Sequence, residues 1–383
     1  MTVAQLSANC HVPLDSAEVA AAVGQELRTP NACIVDYAVE PVSYAFGSPN
    51  TAGLVRLRGR AEVHGRLSDW SLFVKLLRSY RHWPMLNVLP AGLRQEALDS
   101  PAWRYEADIY TRGLEGVLPA GLRLPRVLLI KELPDEHLVL LLEDVPYDQS
   151  MWTLSRYRRV AELLGRLAGR LTQHDALPAT ASRVPGVVTR RFYTGRVEVA
   201  ALPVLSGDPI WAHPFLAGRD PSLRRDLMEL AGRAPAILAH LERLPQTLIH
   251  GDASPQNFLV ERPPAVDVVA IDWSLGGLAA VGDDLGQLLV GLAHAGSLVP
   301  EELPAIRSAI VTSYTEGLNA EGFAADEAAV RWGLDGGLVV RSAFTALPLE
   351  RLSEPPTDEL EELVHSRLLL TRYLVDLGLD LPA

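Results

Sequence analysis

Three oxygen-bearing side chains between residues 252 and 272 are the first that could do chemistry. The stretch LIHGDASPQNFLV, Leu248 to Val260, sets Asp252 and Asn257 inside an apolar frame, and a second apolar run, VDVVAIDWSL, contains Asp272. A carboxylate beside an attacking hydroxyl can orient it and take its proton. A further carboxylate and an amide oxygen are the hard ligands that suit a Mg²⁺ ion bridging phosphates. On this reading Asp252 is the candidate base, and Asn257 and Asp272 are the candidate metal ligands for phosphoryl transfer. HGD alone reads better as a polar turn whose side chains satisfy backbone groups. Adding Asn257 and Asp272 shifts the balance to catalysis.

The order D-x-x-x-x-N, then a strand, then an Asp is that of a kinase catalytic loop and its metal-binding Asp. Such a site needs a second half that holds ATP. Lys75 is the only charge in the apolar run LFVKLL and suits the α- and β-phosphates. Glu106, in WRYEADIY, is its natural carboxylate partner, with Glu96 as the second candidate. The turn GSPNTAG would offer backbone N–H groups and the hydroxyls of Ser48 and Thr51 to phosphate. Residues Glu143 to Val145 could present backbone groups to adenine, an assignment resting on position alone.

The elements that must position these residues fall into two parts. IVDYAVEPVSYAF, LVRLRGRAEV and DWSLFVKLL read as strands, as do RVLLIKEL and HLVLLLEDV. PAWRYEADIYTRGLEG reads as a helix between them, and Asp15 as the N-cap of a helix near the start. Beyond Val145 the pattern turns helical, with LSRYRRVAELLGRLAGRLTQH and PSLRRDLMELAGRAPAILAHLERL as long helices. The tract 176–187 reads as an exposed loop.

The set LIHGDASPQNFLV, AIDW, VGDDLGQLL, Lys75 and Glu106 resembles the aminoglycoside phosphotransferase and choline kinase family of small-molecule kinases. Their catalytic loop carries H-G-D, and their metal Asp often precedes a large residue, as Asp272 precedes Trp273. The resemblance implies an α+β, two-lobed protein-kinase-like fold with an antiparallel-sheet N-lobe and a mainly helical C-lobe. It places the N-lobe at 1–142 (N-terminal helix, β-sheet, one long helix), a hinge at 143–148 and the C-lobe at 149–383. By the same resemblance Asp252 is the base, Asn257 and Asp272 hold Mg²⁺, and Lys75 with Glu106 anchors the phosphates. Asp284 matches an Asp that buttresses the catalytic loop, with Asp283 competing for that role, and His250 packs within the loop. Ser274 stands where several members carry an acidic residue, which counts against a choline-like acceptor.

The implied activity is an ATP- and Mg²⁺-dependent transfer of the γ-phosphate to a hydroxyl of a small molecule: an amino sugar, aminoglycoside, amino alcohol or sugar. ATP would bind between the lobes, and helices of the second part would wall the acceptor. Trp152, Trp211 and Trp273 are candidate lining residues, each weighed more toward core. The alternative is a nucleotide-binding pseudokinase with a regulatory role, which the full set of five polar residues counts against. A protein kinase is disfavoured because VGDDLGQLL follows Asp272 closely, leaving little room for a peptide platform.

Bulk properties fit that reading. A chain of 383 residues is too long for one simple core. A net charge of -12 argues against nucleic acid and anionic membrane as partners. Two cysteines, Cys10 and Cys33, share no metal-ligand or redox spacing, and no apolar run is long enough for a bilayer. The N-terminal stretch lacks a signal-peptide pattern, so a cytoplasmic location is expected. The oligomeric state is left open.

Overall fold

The structure is a computed structural model that describes residues 12–42, 48–148, 150–262 and 267–382. Cys10 and Gly47, the first residue of the expected phosphate turn, lie outside them. The chain divides into two compact units. One comprises Met1–Gly113, Leu124–Tyr147 and Glu261–Ala265; the other comprises Leu114–Arg123, Asp148–Val260 and Val266–Ala383. The segment 114–123 therefore groups with the helical unit, not with the sheet unit to which a single cut near residue 142 assigns it.

The first unit is built on strands β1 (Cys33–Pro41), β2 (Thr51–Val63), β3 (Arg66–Arg78), β5 (Val127–Leu133) and β6 (His137–Glu143). They form one antiparallel sheet in the order β1-β2-β3-β6-β5. Helix α1 (Ser16–Glu26) starts at a reciprocal cap, with Asp15 Oδ1 accepting from Glu18 N and Glu18 Oε2 accepting from Asp15 N, each at 2.8 Å. Its Val19, Ala22 and Val23 bury against Leu57, Trp70, Leu72 and Val74. Alternation along a strand then assigns the opposite face of β3. Leu77 on that face packs with Trp103, Ala107, Leu138 and Leu140. Lys75 shares the parity of Leu77 and so belongs to the face covered by the segment around Glu106.

That segment is not one long helix. Helix α2 (Ala91–Asp99) ends at Ser100, which Pro101 forces into extended backbone at ψ 124. A 3₁₀ turn (Pro101–Arg104) then leads into the short helix α3 (Tyr105–Thr111). Of the expected helix PAWRYEADIYTRGLEG only α3 is α-helical, and Glu106 in its first turn is buried.

The second unit carries helices α4 (Leu154–Gln173), α5 (Leu223–Leu241), α6 (Asp284–His294), α7 (Leu303–Ala320), α8 (Glu327–Ser342) and α9 (Asp358–Leu379). Helices α4 and α7 approach at paired glycines: a Cβ on Gly165 would lie 2.1 Å from Tyr314 O, and one on Gly317 would lie 2.2 Å from Glu162 O. Between α4 and α5 runs irregular helix, including a π-helical stretch (Tyr193–Ala201). The loop 176–187 is less exposed than expected: Ala176, Leu177 and Ala181 are buried, and Ser182 bridges to Gly277. Two small sheets complete the unit. Strand β7 (Gln246–Ile249) pairs antiparallel with β10 (Gly277–Ala280), and β4 (Leu122–Arg123) and β8 (Phe258–Val260) flank β9 (Val268–Ala270). Among the described residues no helix is long and apolar enough to cross a membrane.

The α+β organisation expected from the sequence is thus present, with an antiparallel sheet in one unit and mainly helix in the other.

Candidate active site

The loop from His250 to Asn257 leaves β7 and enters β8, and the pairing of β8 with β9 returns the chain beside it. Ile271 N donates to Asn257 O at 3.0 Å, which brings Asp272 next to Asn257. Asn257 Nδ2 donates to Asp252 O at 2.8 Å and to Asp252 Oδ2 at 3.2 Å. With its amino group committed to Asp252, Asn257 turns its Oδ1 to the other side as a neutral oxygen donor. Asp272 adds a carboxylate held at φ 59, a left-handed backbone that costs a non-glycine residue energy and is characteristic of functional sites. A carboxylate with an amide oxygen fits Mg²⁺, which keeps several waters and needs few protein ligands.

Asp284, at the start of α6, fixes the loop from below. Its Oδ2 accepts from His250 N at 2.9 Å and its Oδ1 from Gly251 N at 2.8 Å. Burial pushes its carboxyl up to about 7, against the opposing pull of the two amides. Asp283, the competing candidate, instead accepts from Thr189 Oγ1 at 2.8 Å, and burial raises it too. Gly251 has no alternative residue: its φ is +88, and a Cβ there would sit 2.0 Å from Leu275 O.

His250 is fully buried between Phe258 and Trp273, with ring centroids 5.3 and 4.5 Å away. Its Nε2 lies 3.0 Å from Ile271 O, which can only accept, so Nε2 carries the proton. Its Nδ1 is then the acceptor for Asp252 N at 3.3 Å. One ring therefore ties the Asp252 backbone to the strand end that precedes Asp272. Trp273 is fully buried and donates from Nε1 to Ala270 O at 3.2 Å, so it is core and not pocket wall.

Arg341, near the end of α8, was not foreseen. Its Nη1 donates to Gly251 O at 2.7 Å, its Nη2 lies 3.4 Å from Asp252 Oδ1, and its guanidinium stacks 4.7 Å over Phe192. It comes from 89 residues farther along the chain, beyond any local spacing rule. The one available signal was a lone charge in the apolar run GGLVVRSAF, the same signal that singled out Lys75.

In the first unit, Lys75 Nζ meets Glu106 Oε2 at 2.6 Å, with side chains only 7% and 2% exposed. Tyr110 Oη donates to Glu106 Oε1 at 3.3 Å. Glu96 lies exposed on α2.

The expected phosphate turn and connector differ from the sequence reading. Ser48 spends its hydroxyl on Asn50 Oδ1, and Asn50 Nδ2 donates to Trp103 O at 3.2 Å. Thr51 pairs with Leu77 as the first residue of β2 and is 2% exposed, so its hydroxyl lies inside the fold. Glu143 is a strand residue whose N–H donates to Arg126 O at 3.0 Å, so that N–H is not available to adenine. Its carboxylate accepts from Arg126 N at 3.0 Å and Arg126 Nε at 2.7 Å. Asp144 follows, taking Arg56 Nε at 3.0 Å and Ser71 Oγ at 2.6 Å. Val145 is buried and lies outside regular structure.

The family model described as "Phosphotransferase enzyme family" matches residues 113–325, more than half of the chain. Curated proteins give no match. Solved structures similar to the chain include a spectinomycin phosphotransferase with ADP and spectinomycin (12% identity, TM-score 0.47, covering 96% of this chain and 99% of that one). An amicoumacin kinase with AMP-PNP, Ca²⁺ and Ami is 13% identical (TM-score 0.49, covering 100% and 97%). An aminoglycoside phosphotransferase from Streptomyces rimosus with ADP and streptomycin is 18% identical (TM-score 0.40, covering 78% and 92%).

Proposed function

The chain belongs to the phosphotransferase enzyme family, and from that premise we propose that it moves the γ-phosphate of ATP to a hydroxyl of a small molecule with Mg²⁺. The observation that carries this is the clamp of Asn257 Nδ2 on Asp252 beside Asp272. It supports three separate jobs for three oxygen-bearing side chains. Asp252 receives the acceptor's proton and aims its oxygen for in-line attack. Asn257 and Asp272 would hold Mg²⁺, which when bound neutralises charge on the phosphates. Lys75, fixed by Glu106, is suited to contact the α- and β-phosphates as a point charge. Arg341 acts as a positioning residue by holding Gly251 O and facing the Asp252 carboxylate. The acceptor classes are amino sugars, aminoglycosides, amino alcohols and neutral sugars.

The reading is tested in two steps. Mg-ATP at about one hundred times its dissociation constant should add roughly 2.7 kcal/mol of stability, read as a thermal shift. ATP consumption is then measured across the four acceptor classes, and one of them should stimulate it. A thermal shift with no stimulation by any acceptor would favour a regulatory pseudokinase. No shift at all would refute nucleotide binding.

A further inference from the structure

Three residues far along the chain from Asp252, all in the first unit, supply a constellation that phosphoryl transfer does not use. His82 closes the 3₁₀ turn (Tyr80–His82) after β3, Asp135 sits in the turn between β5 and β6, and His137 opens β6. Among the described residues they are the one group of three whose ligand atoms lie together, all within 4.8 Å of one another.

The protonation pattern favours coordination. His137 Nδ1 lies 2.8 Å from Asp135 O. A carbonyl only accepts, so Nδ1 carries the proton and the Nε2 lone pair is left for a metal, the usual outer hydrogen bond of a ligating histidine. His82 Nε2 is buried and makes no hydrogen bond among the described residues. It faces Asp135 Oδ2 at 3.6 Å. Two donors on one tetrahedral ion, each at about 2.0–2.1 Å, stand roughly 3.4 Å apart. The two imidazoles lie with centroids 4.6 Å apart and planes 32° from parallel. The Asp135 side chain is 72% exposed and so has room to swing and close the set. The two turns are already coupled, by a backbone bond from Ser79 N to Glu136 O at 2.9 Å and by a side-chain ion pair of Arg81 Nε with Glu136 Oε2 at 2.9 Å.

We propose that His82, Asp135 and His137 form a binding site for a zinc-class divalent transition-metal ion, separate from the Mg²⁺ site proposed at Asn257 and Asp272. Two imidazoles and one carboxylate suit a borderline metal and suit Mg²⁺ poorly. Water completes the coordination. The bound ion pins the end of β3, the strand of Lys75, to the β5–β6 turn and stabilises the first unit.

The test uses the full chain without an affinity tag, stripped with EDTA, and titrated calorimetrically with ZnCl₂. One equivalent should bind, Mg²⁺ in large excess should not compete, and the melting temperature should rise with zinc. His82→Ala and His137→Ala should each weaken binding by at least about tenfold, while His174→Ala, at an exposed histidine elsewhere, should leave it unchanged. Co²⁺ absorption gives a second readout that does not depend on stability: its visible bands should appear with the wild type and vanish in His137→Ala. Absence of zinc binding by the wild type would overturn the site. Unchanged binding in both histidine variants, each shown folded by circular dichroism, would also overturn it.

Discussion

The loop at Asp252 and the turn at Ser48–Thr51 both read from the sequence as polar islands between apolar strands, yet the structure treats them oppositely. At the first, Asp252 and the backbone on either side of it are braced. Asp284 holds two consecutive amides, His250 holds a third, and Asn257 and Arg341 converge on Asp252. At the second, the polar groups are consumed by the fold itself, Ser48 by Asn50 and Thr51 by burial in β2. Polar composition between strands therefore does not distinguish a site from a turn. What distinguishes them is whether the hydrogen bonds leave a reactive oxygen facing outward.

That contrast can be broken first at its strongest brace. Asp284→Ala deprives two buried amides of their acceptor, each worth about 1–3 kcal/mol when left unsatisfied, so urea denaturation should show a loss of several kcal/mol. The same residue carries a pH signature. Its folded pKa, about 7, lies above the ordinary carboxylate value, so the folded chain holds a proton that the unfolded chain has lost. Its contribution to stability is full below about pH 4 and falls as pH rises toward 7, at up to about 1.4 kcal/mol per unit. Denaturation curves across that window should flatten in Asp284→Ala.

The ion pair of the first unit comes next. Lys75→Ala strands the buried Glu106 charge and should cost about 3–5 kcal/mol, with Lys75→Met plus Glu106→Gln recovering part of it. Arg341→Gln should leave the acceptor KM nearly unchanged and lower kcat by about a hundredfold, because it loosens the alignment of Asp252 without touching binding. Steady-state kinetics separates the two. The smallest effects belong to the turn: Ser48→Ala and Thr51→Val should change the KM for ATP by less than about twofold, since neither hydroxyl is presented to a ligand. A large rise in that KM would erase the contrast between the two regions.

What the sequence made legible follows from how close in the chain the interacting groups are. Asp252 and Asn257 lie between β7 and β8 and Asp272 follows β9, so the local pairing of β8 with β9 brings them together. The family resemblance drawn from that stretch agrees with the match over residues 113–325, and the expectation of an enzyme holds at the level of that family. Lys75 and Glu106 were readable because strand alternation and an inward helix face each leave a conspicuous charge. Arg341 stands out only as a lone charge in an apolar run, and that does not reveal its partner, which depends on how α8 packs. The long helix expected over PAWRYEADIYTRGLEG is α-helical only at Tyr105–Thr111, with 3₁₀ turns at Pro101–Arg104 and Leu114–Gly116, because its apolar spacing does not separate one α-helix from shorter pieces. The sequence did not show that the Glu143 N–H is taken by Arg126 O, because that pairing depends on how the neighbouring strand lies beside it.

The central claim is that Asp252 is the base of a phosphotransferase. Asp252→Asn keeps the side chain's shape and removes its charge, so kcat should fall by about 10²–10⁴-fold while Mg-ATP still binds with the wild-type dissociation constant. Turnover at the wild-type rate in a folded Asp252→Asn variant would contradict the claim.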